Sequence, residues 1–518
     1  MRRGAYQHGA KTAIVSPAKG EVQGWNHFDK GDRFKVDVPL EQAKAEDFDA
    51  LLLPGGVANP DQLRAQPKAV QFVKRFVDAG KPIGVICHGP WTLVEAGAVK
   101  GRTMTSWPSL KTDLTNAGAA ASSRAASLTT FRHSAAGSSR RSARARTTGP
   151  PPDLFLVALT RNSGKDRRVG MFVAGVGTAV PPQRYTQAEC WEAVRAARQF
   201  CALAPQSQAL LRRLLLNEAN GIRTRHLALE ALDEAFEIEP DKLHARFARH
   251  APMLAEAAAR SALRDADLSP RDVDALVIST CTGYLCPGLT SYVGERLGLK
   301  KDVIGLDLVG QGCGAALPNL AAAHGLIAAG NARVALSICV EVCSAAFYID
   351  DDPGVLVSAC LFGDGAGALV LAAEPRTGRR RVEWRAGWSS HEPAHRDALR
   401  FEQRAGLLRN VLTPQVPALA GRQAAALLQD AGLRDRITTW IWHAGGQKVL
   451  ERLRETLRLE PRDVERSARV LSAYGNLSSP FVYFVLELAL RERAPSGSWW
   501  MSSFGAGFSC HGALLTVA

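Results

Sequence analysis

No run of about 18 uninterrupted apolar residues occurs in this 518-residue chain, so no membrane-spanning helix is expected. Its ten cysteines lack the paired spacing of a metal knuckle: Cys339 and Cys343 stand in a strand-like run with no second Cys or His pair to complete a tetrahedron. A metal site is therefore not expected. Acidic residues are missing from 119–152, where six arginines between Arg124 and Arg146 supply much of the formal charge of +14. That basic stretch has no regular aromatic interleaving and no nucleic-acid motif, which argues against nucleic acid as a partner. The rest of the excess charge suits small anionic substrates. No secretory leader is recognisable and the thiols have no evident pairing, so a reducing, cytoplasmic setting is expected.

What is present divides into three textures. From Lys11 to about Gly118, strands are expected at Thr12–Ser16, Asp49–Leu53 and Ile83–Ile86, with an amphipathic helix over Val70–Ala79. This alternation predicts an open parallel α/β sheet within a segment spanning 1–118. Over 119–167 the composition falls to Ala, Ser, Arg, Thr, Gly and Pro without periodicity, and a disordered linker is expected. From about 168 a dense α/β texture runs to the end. Two strand signals there, Ala275–Thr280 and Trp440–His443, each follow a helix and a charged turn, which suggests duplicated halves at 168–390 and 391–518.

Three glycine-marked turns in that long segment carry nucleophile, base and amide chemistry. Cys313 lies within Gly310-Gln311-Gly312-Cys313-Gly314, between an apolar strand (303–309) and an Ala-rich helix (315–329). A thiol at a helix N-terminus can be favoured as thiolate by unpaired N–H groups and the macrodipole. His443 lies in Trp442-His443-Ala444-Gly445-Gly446 and Asn476 in Tyr474-Gly475-Asn476-Leu477-Ser478-Ser479. Alone, each has a plainer reading as a small core residue, a turn histidine or a helix cap. Together they are the parts for acyl transfer through a thioester.

With these motifs go Gly175-Val176-Gly177-Thr178, Gly221-Ile222-Arg223-Thr224-Arg225, Cys281-Thr282-Gly283-Tyr284-Leu285-Cys286-Pro287-Gly288, Leu361-Phe362-Gly363-Asp364-Gly365 and Ser503-Phe504-Gly505-Ala506-Gly507-Phe508. Their order over some 350 residues resembles the type III polyketide synthases, the chalcone-synthase-like branch of the thiolase superfamily. The resemblance implies a thiolase-like α/β fold of duplicated αβαβα layers, a homodimer, and an iterative acyltransferase using acyl-CoA and malonyl-CoA as substrates, with no resident cofactor. It places the nucleophile at Cys313, with His443 paired to it and Asn476 as an enolate donor. The gate falls on Phe362, the cavity wall on Cys281, Cys343, Ala346 and Ser478, and a residue reaching into the partner's cavity on Cys286. CoA contacts fall on Arg212, Arg213, Gly445 and Gly446, and Asp364 braces a turn. Cavity cysteines in place of threonines point to malonyl or fatty-acyl starters and a pyrone, resorcinol or naphthol-type product. A single β-ketoacyl synthase III-like condensation is the alternative.

In the first segment, Ile83-Gly84-Val85-Ile86-Cys87-His88-Gly89-Pro90 with Leu53-Pro54-Gly55-Gly56 resembles the PfpI-like branch of the class I glutamine-amidotransferase-like superfamily over about 11–118. This implies a flavodoxin-like α/β segment with Cys87 as nucleophile on a strained turn, His88 beside it, and Asp61 near the place of an acidic partner. The family's first strand and closing elements are not recognisable, so a truncated segment with a vestigial site is expected. A cysteine amidase, deglycase or peptidase, or a non-catalytic interaction module, are the alternatives.

Overall fold

The computed structural model describes residues 10–18, 20–26, 29–104, 108–121, 129–131, 156–161, 170–217 and 220–518. They fall into two compact units, 1–166 and 167–518.

The first unit is built on a six-stranded sheet. Its strands are β1 (Ala10–Ser16), β2 (Val38–Pro39), β3 (Ala50–Leu53), β4 (Ile83–Val85), β5 (Thr129–Phe131) and β6 (Leu156–Arg161), in the order β2-β1-β6-β3-β4-β5. The expected strands are present, yet the sheet is mixed rather than parallel. β1 with β2 and β3 with β4 are parallel, while β6 runs antiparallel between β1 and β3, and β5 antiparallel on β4. β5 and β6 fall inside the stretch expected to be an unstructured linker; composition averaged over that stretch hides the apolar island Leu156-Val157-Ala158-Leu159. The other residues of that stretch, apart from 119–121, lie outside the described residues. Helix α1 (Pro67–Asp78) buries Ala69, Phe72, Val73 and Phe76, one face at helical spacing, and Phe72 meets Phe48 and Phe76 edge-on. With Leu51, Leu53, Ile83 and Val85 these side chains give the unit its own core.

The second unit turns on one nine-stranded sheet. Its strands in chain order are β7 (Met171–Ala179), β9 (Ala275–Ser279), β10 (Ile304–Leu308), β11 (Val334–Glu341), β12 (Gly365–Ala372), β13 (Val382–His391), β14 (Ile437–Trp442), β15 (Gly497–Gly505) and β16 (Ser509–Val517); a short strand β8 (Thr224–His226) lies outside it. Sheet order is β10-β9-β11-β12-β7 followed by β13-β16-β15-β14. β9 runs parallel to β11 as β14 does to β15, and β7 joins β13 at the centre. The second half therefore repeats the first in mirrored order, less one strand, as the duplication read between β9 and β14 requires. Because β13 already pairs along its length with β16, the chain crosses between halves at 373–381, before the expected boundary at 390.

Layering follows from which helices are apolar all round. α5 (Ala316–Ala328) packs on β9 and β11 and also on β15 and β16, while α9 (Phe481–Arg491), buried at Phe481 through Leu486, packs on β7, β12, β14 and β15. These two form the central layer. The longer α4 (Pro240–Ala266) covers the first half from outside and α7 (Val416–Ala431) the second. The arrangement is the thiolase-like αβαβα sandwich.

Glycine fixes how close α4 can come. A Cβ on Gly177 would lie 2.3 Å from the Ala262 backbone nitrogen and 2.5 Å from the Ala258 carbonyl oxygen. Gly177→Ala should therefore lower unfolding free energy by about 1–3 kcal/mol. Gly325→Ala, on an exposed part of α5 with open space around its Cβ, should instead stabilise by up to about 1 kcal/mol. Denaturant midpoints of the two variants should move in opposite directions.

Candidate active site

The second unit gathers its chemistry where parallel strands end and the two central helices begin, the place where α/β folds usually hold ligands. Cys281 follows β9, Glu341 ends β11 and His443 follows β14. Cys313 precedes α5 and Asn476 precedes α9. The glycines around Cys313 are demanded by the other half of the molecule. Gly312 has φ +56°, and a Cβ on Gly314 would sit 2.9 Å from the Gly505 backbone. Ser503 Oγ donates to the Gly314 carbonyl at 2.9 Å, so the Phe504–Gly507 turn clamps the cysteine loop.

Ser478 is the hub. It takes φ +59°, rare for a residue with a Cβ, because its N–H is held by Asn476 Oδ1 at 2.9 Å. Its hydroxyl stands 3.3 Å from Cys313 Sγ, 3.5 Å from Cys281 Sγ and 3.5 Å from Glu341 Oε1. One hydroxyl carries one proton, so it can donate to only one of these at a time. Glu341 is fully buried and receives Ser479 Oγ at 2.5 Å, Cys281 N at 2.9 Å and Thr282 Oγ1 at 3.0 Å. Burial raises its pKa above the ordinary carboxylate value, favouring the neutral acid. Sequence reasoning missed Glu341; the only available signal was an acidic residue ending an otherwise apolar run.

The pairing expected between Cys313 and His443 differs in the structure, where no hydrogen bond joins them. His443 is 2% exposed, stands edge-on to Phe481, and its Nδ1 has no hydrogen-bond partner among the described residues. Burial pushes the Cys313 thiol up to about 12 and the His443 imidazole down to about 3. The resting pair is therefore neutral, and desolvation outweighs the helix-terminus effect expected to favour thiolate. Asn476 spends one amide N–H on the Gly445 carbonyl at 3.3 Å, and the other has no hydrogen-bond partner among the described residues.

The remaining residues sort by place. Cys313, Cys343 and Phe362 share one apolar cluster with Leu227, Leu229 and Phe347, and Ala346 closes the turn after Cys343. Cys286 is exposed and outside that cluster. Arg212 and Arg213, on α3 (Pro205–Leu216), line an open cleft of about 820 Å³ with Trp191, Phe200 and Gln208. Gly445 and Gly446 are not among its walls. Asp364 accepts from Ala228 N, Ser344 N and Ser344 Oγ, which fits the expected brace.

In the first unit Cys87 sits between β4 and the short α2 (Pro90–Glu95) with φ +56°, the strained turn expected of it. Its Sγ lies 3.1 Å from His88 Nδ1, and His88 Nε2 lies 3.1 Å from Ser109 Oγ. A Cβ on Gly55 would come within 2.7 Å of the Cys87 Cβ, so only glycine lets that loop pass. Asp61 instead forms an ion pair with Arg64, one turn along its own helix.

A buried neutral imidazole has a pH consequence. The folded-state pKa of His443 lies below its unfolded value, so the unfolded chain binds the extra proton first as pH falls. Its contribution is intact above about pH 6.5 and is lost on acidification towards pH 3. Between pH 7 and 5, the wild type should lose about 2 kcal/mol more unfolding free energy than His443→Gln, as read by denaturant unfolding at each pH.

Residues 181–426 match the family described as FAE1/Type III polyketide synthase-like protein, 416–516 the chalcone and stilbene synthase C-terminal domain, and 2–138 the DJ-1/PfpI family. The chain is 34% identical over 356 residues to a 1,3,6,8-tetrahydroxynaphthalene synthase of Streptomyces peucetius subsp. caesius, covering 67% of this chain and 93% of that protein. It is 32% identical over 336 residues to a 3,5-dihydroxyphenylacetyl-CoA synthase of Streptomyces toyocaensis, covering 62% and 83%. Among solved structures, the 1,3,6,8-tetrahydroxynaphthalene synthase of Streptomyces coelicolor A3(2) superposes with a TM-score of 0.61 at 26% identity, over 67% of this chain and 99% of that one. The type III synthase domain of Dictyostelium Steely1 does so with a TM-score of 0.61 at 25% identity and the same coverage. Motifs, sandwich and relatives agree, and the chain, through its second unit, belongs to the type III polyketide synthases.

Proposed function

We propose that Cys313 is the nucleophile of an iterative, decarboxylating condensation. Its sulfur attacks the thioester carbonyl of a starter acyl-CoA, His443 takes the thiol proton, and CoA leaves as its thiolate to be protonated in turn. Malonyl-CoA then loses carbon dioxide. The enolate oxygen left behind is met by His443 and the free N–H of Asn476, each such donor worth about 3 kcal/mol of barrier. The carbanion attacks the Cys313 thioester, releasing the sulfur and leaving on CoA a chain two carbons longer, which reloads for the next cycle before cyclisation.

The observation that carries this reading is the chain of contacts from the buried thiol through Ser478 to the Asn476 amide and on to the Gly445 carbonyl, two residues beyond a buried His443 whose Nδ1 has no partner among the described residues. The apolar wall of Leu227, Leu229, Phe347 and Phe362 suits a malonyl or fatty-acyl starter and a pyrone, resorcinol or naphthol-type product. Phe362 acts as gate between the CoA approach and this wall, while Arg212 and Arg213 in the basic cleft take CoA phosphates. In the first unit, the strained Cys87 beside His88 favours a separate cysteine hydrolase as a second reading.

Half-reactions separate these roles. Cys313→Ala should abolish the acyl adduct seen by intact-protein mass spectrometry. Asn476→Ala should still load starter but lose malonyl-CoA decarboxylation by about 100-fold. His443→Ala should damage both steps, and Cys87→Ser neither. An acyl adduct persisting in Cys313→Ala would refute the assignment.

The synthase acts as a homodimer through β10. This strand ends the sheet with one edge unpaired and Leu306 and Val309 exposed, whereas the opposite edge strand β14 is buried along most of its length. An exposed apolar edge calls for a cover. Tyr284 and Cys286, in the segment between β9 and β10, are exposed as well, as a residue reaching into a partner's cavity requires. Leu306→Lys with Val309→Glu should convert the species seen by light scattering from dimer to monomer, and a wild type that is already monomeric would end this proposal.

A further inference from the structure

One residue of the Gly221–Arg225 motif has no part in the chemistry above and is nevertheless charged and buried. Arg225, on β8, is 3% exposed, and no carboxylate forms an ion pair with it among the described residues. Its charge is spent on backbone. Nη1 donates to the Ala359 carbonyl at 2.6 Å and to the Phe362 carbonyl at 3.0 Å. These oxygens belong to the last turn and C-cap of α6 (Pro353–Leu361), where a cation offsets the negative end of the helix dipole. The guanidinium also lies 5.9 Å from the Phe347 ring centroid.

The same side chain underlies the Asn476 turn. Gly475 takes φ +72°, and a Cβ there would meet Arg225 Cγ at 3.1 Å and the Leu361 carbonyl oxygen at 2.7 Å. Only glycine allows the Asn476 turn to lie against the arginine stem. The two turns are then stitched together: Asn476 N donates to Leu361 O at 2.8 Å and Gly363 N to Asn476 O at 3.0 Å, the isolated bridge between Phe362 and Asn476. On either side of Arg225, Thr224 Oγ1 donates to Ala473 O at 2.7 Å, and His226 O accepts from Asp364 N at 2.8 Å. β8 is thus threaded between the turn that carries Phe362 and the turn that carries Asn476.

We propose that Arg225 is a positioning residue for the synthase reaction: its guanidinium and stem hold the Phe362 turn and the Asn476 turn in one fixed relation, so that chain-length control and enolate stabilisation depend on the same side chain. This rests on the gate and donor roles proposed above for Phe362 and Asn476. A buried arginine with Nε unbonded is costly to keep for packing alone, since an apolar side chain of similar length would fill the space without that orphan donor.

The experiment uses the full chain with Arg225→Met, Arg225→Lys, Phe362→Ala and the Arg225→Met/Phe362→Ala double variant. Readouts are starter loading by intact mass, malonyl-CoA decarboxylation, KM and kcat for malonyl-CoA, and the ratio of short to full-length products. In Arg225→Met, loading should stay within twofold, decarboxylation should fall at least threefold, and the short-product ratio should rise at least threefold. Arg225→Lys, keeping the charge but not the fork, should fall between. In the double variant the product ratio should match Phe362→Ala alone, because both act through one turn. A variant that loses only thermal stability, with KM, decarboxylation and product ratio unchanged, overturns the inference, as do additive effects on product ratio. If Arg225→Met is insoluble, Arg225→Lys is judged by the same criteria. A silent Phe362→Ala would overturn the gate reading instead, and the decarboxylation rate of Arg225→Met would still decide the role of Arg225.

Discussion

The contact between Ser478 and Cys313 joins two halves of a duplicated sheet, and the site of the second unit depends on that join. Cys281, Cys313 and Glu341 come from the first half, His443, Asn476 and Ser478 from the second. They meet because α5 and α9 share the central layer, where the Tyr483 hydroxyl of α9 lies 2.7 Å from Ser337 Oγ of β11 and 3.4 Å from the Ala316 carbonyl of α5. Neither half alone supplies all three of Cys313, His443 and Asn476. Loss of packing between the halves would therefore take the site apart.

That burial sets the electrostatic character of the resting enzyme. In a dry layer an isolated charge is expensive, so the Cys313 thiol and the His443 imidazole both rest neutral, and the Glu341 carboxyl is pushed towards its neutral form. A thiolate formed under these conditions needs its counter-charge beside it at the moment of attack. The geometry supplies a nearby hydroxyl at Ser478 and, from the second half, an imidazole with a nitrogen unbonded. A thiol held protonated until substrate arrives is also shielded from oxidation, which tracks thiolate character.

Much of this was legible in the sequence for a definite reason. Cys313 and His443 sit at strand-to-helix turns and Asn476 at a helix-to-helix turn, and the glycines beside Cys313 and Asn476, required there by close approach of backbone, are visible as letters. The strands β9 and β14 were legible as apolar runs, and with them the duplication. Glu341 was not, because nothing local marks a carboxyl that is buried by residues 60 and 138 positions away in the chain. The neutrality of the Cys313–His443 pair was equally hidden, since it arises from depth and not from residue type. β10 read as one more apolar strand, whereas its place at the sheet edge leaves its middle exposed. In the first unit, averaging composition over 119–167 concealed the two short strands that complete its sheet order.

The two units also differ in where they store strain. At Cys87 the cysteine itself is at positive φ, so the strain falls on the residue that carries the thiol. In the second unit Cys313 itself is not at positive φ; glycines take that conformation before it and before Asn476, at Gly312 and Gly475, and the non-glycine strain at the site falls on Ser478, the residue that touches the thiol. Strain placed on the second half orients groups around a sulfur carried by the first. Arg225 lies against both turns, its stem under Gly475 and its donors on the Ala359 and Phe362 carbonyls. The N–H groups of that turn are already held, Gly475 N by the Leu471 carbonyl, Asn476 N by the Leu361 carbonyl and Ser478 N by Asn476 Oδ1, so its geometry is tied on one side to the Phe362 turn that Arg225 grips.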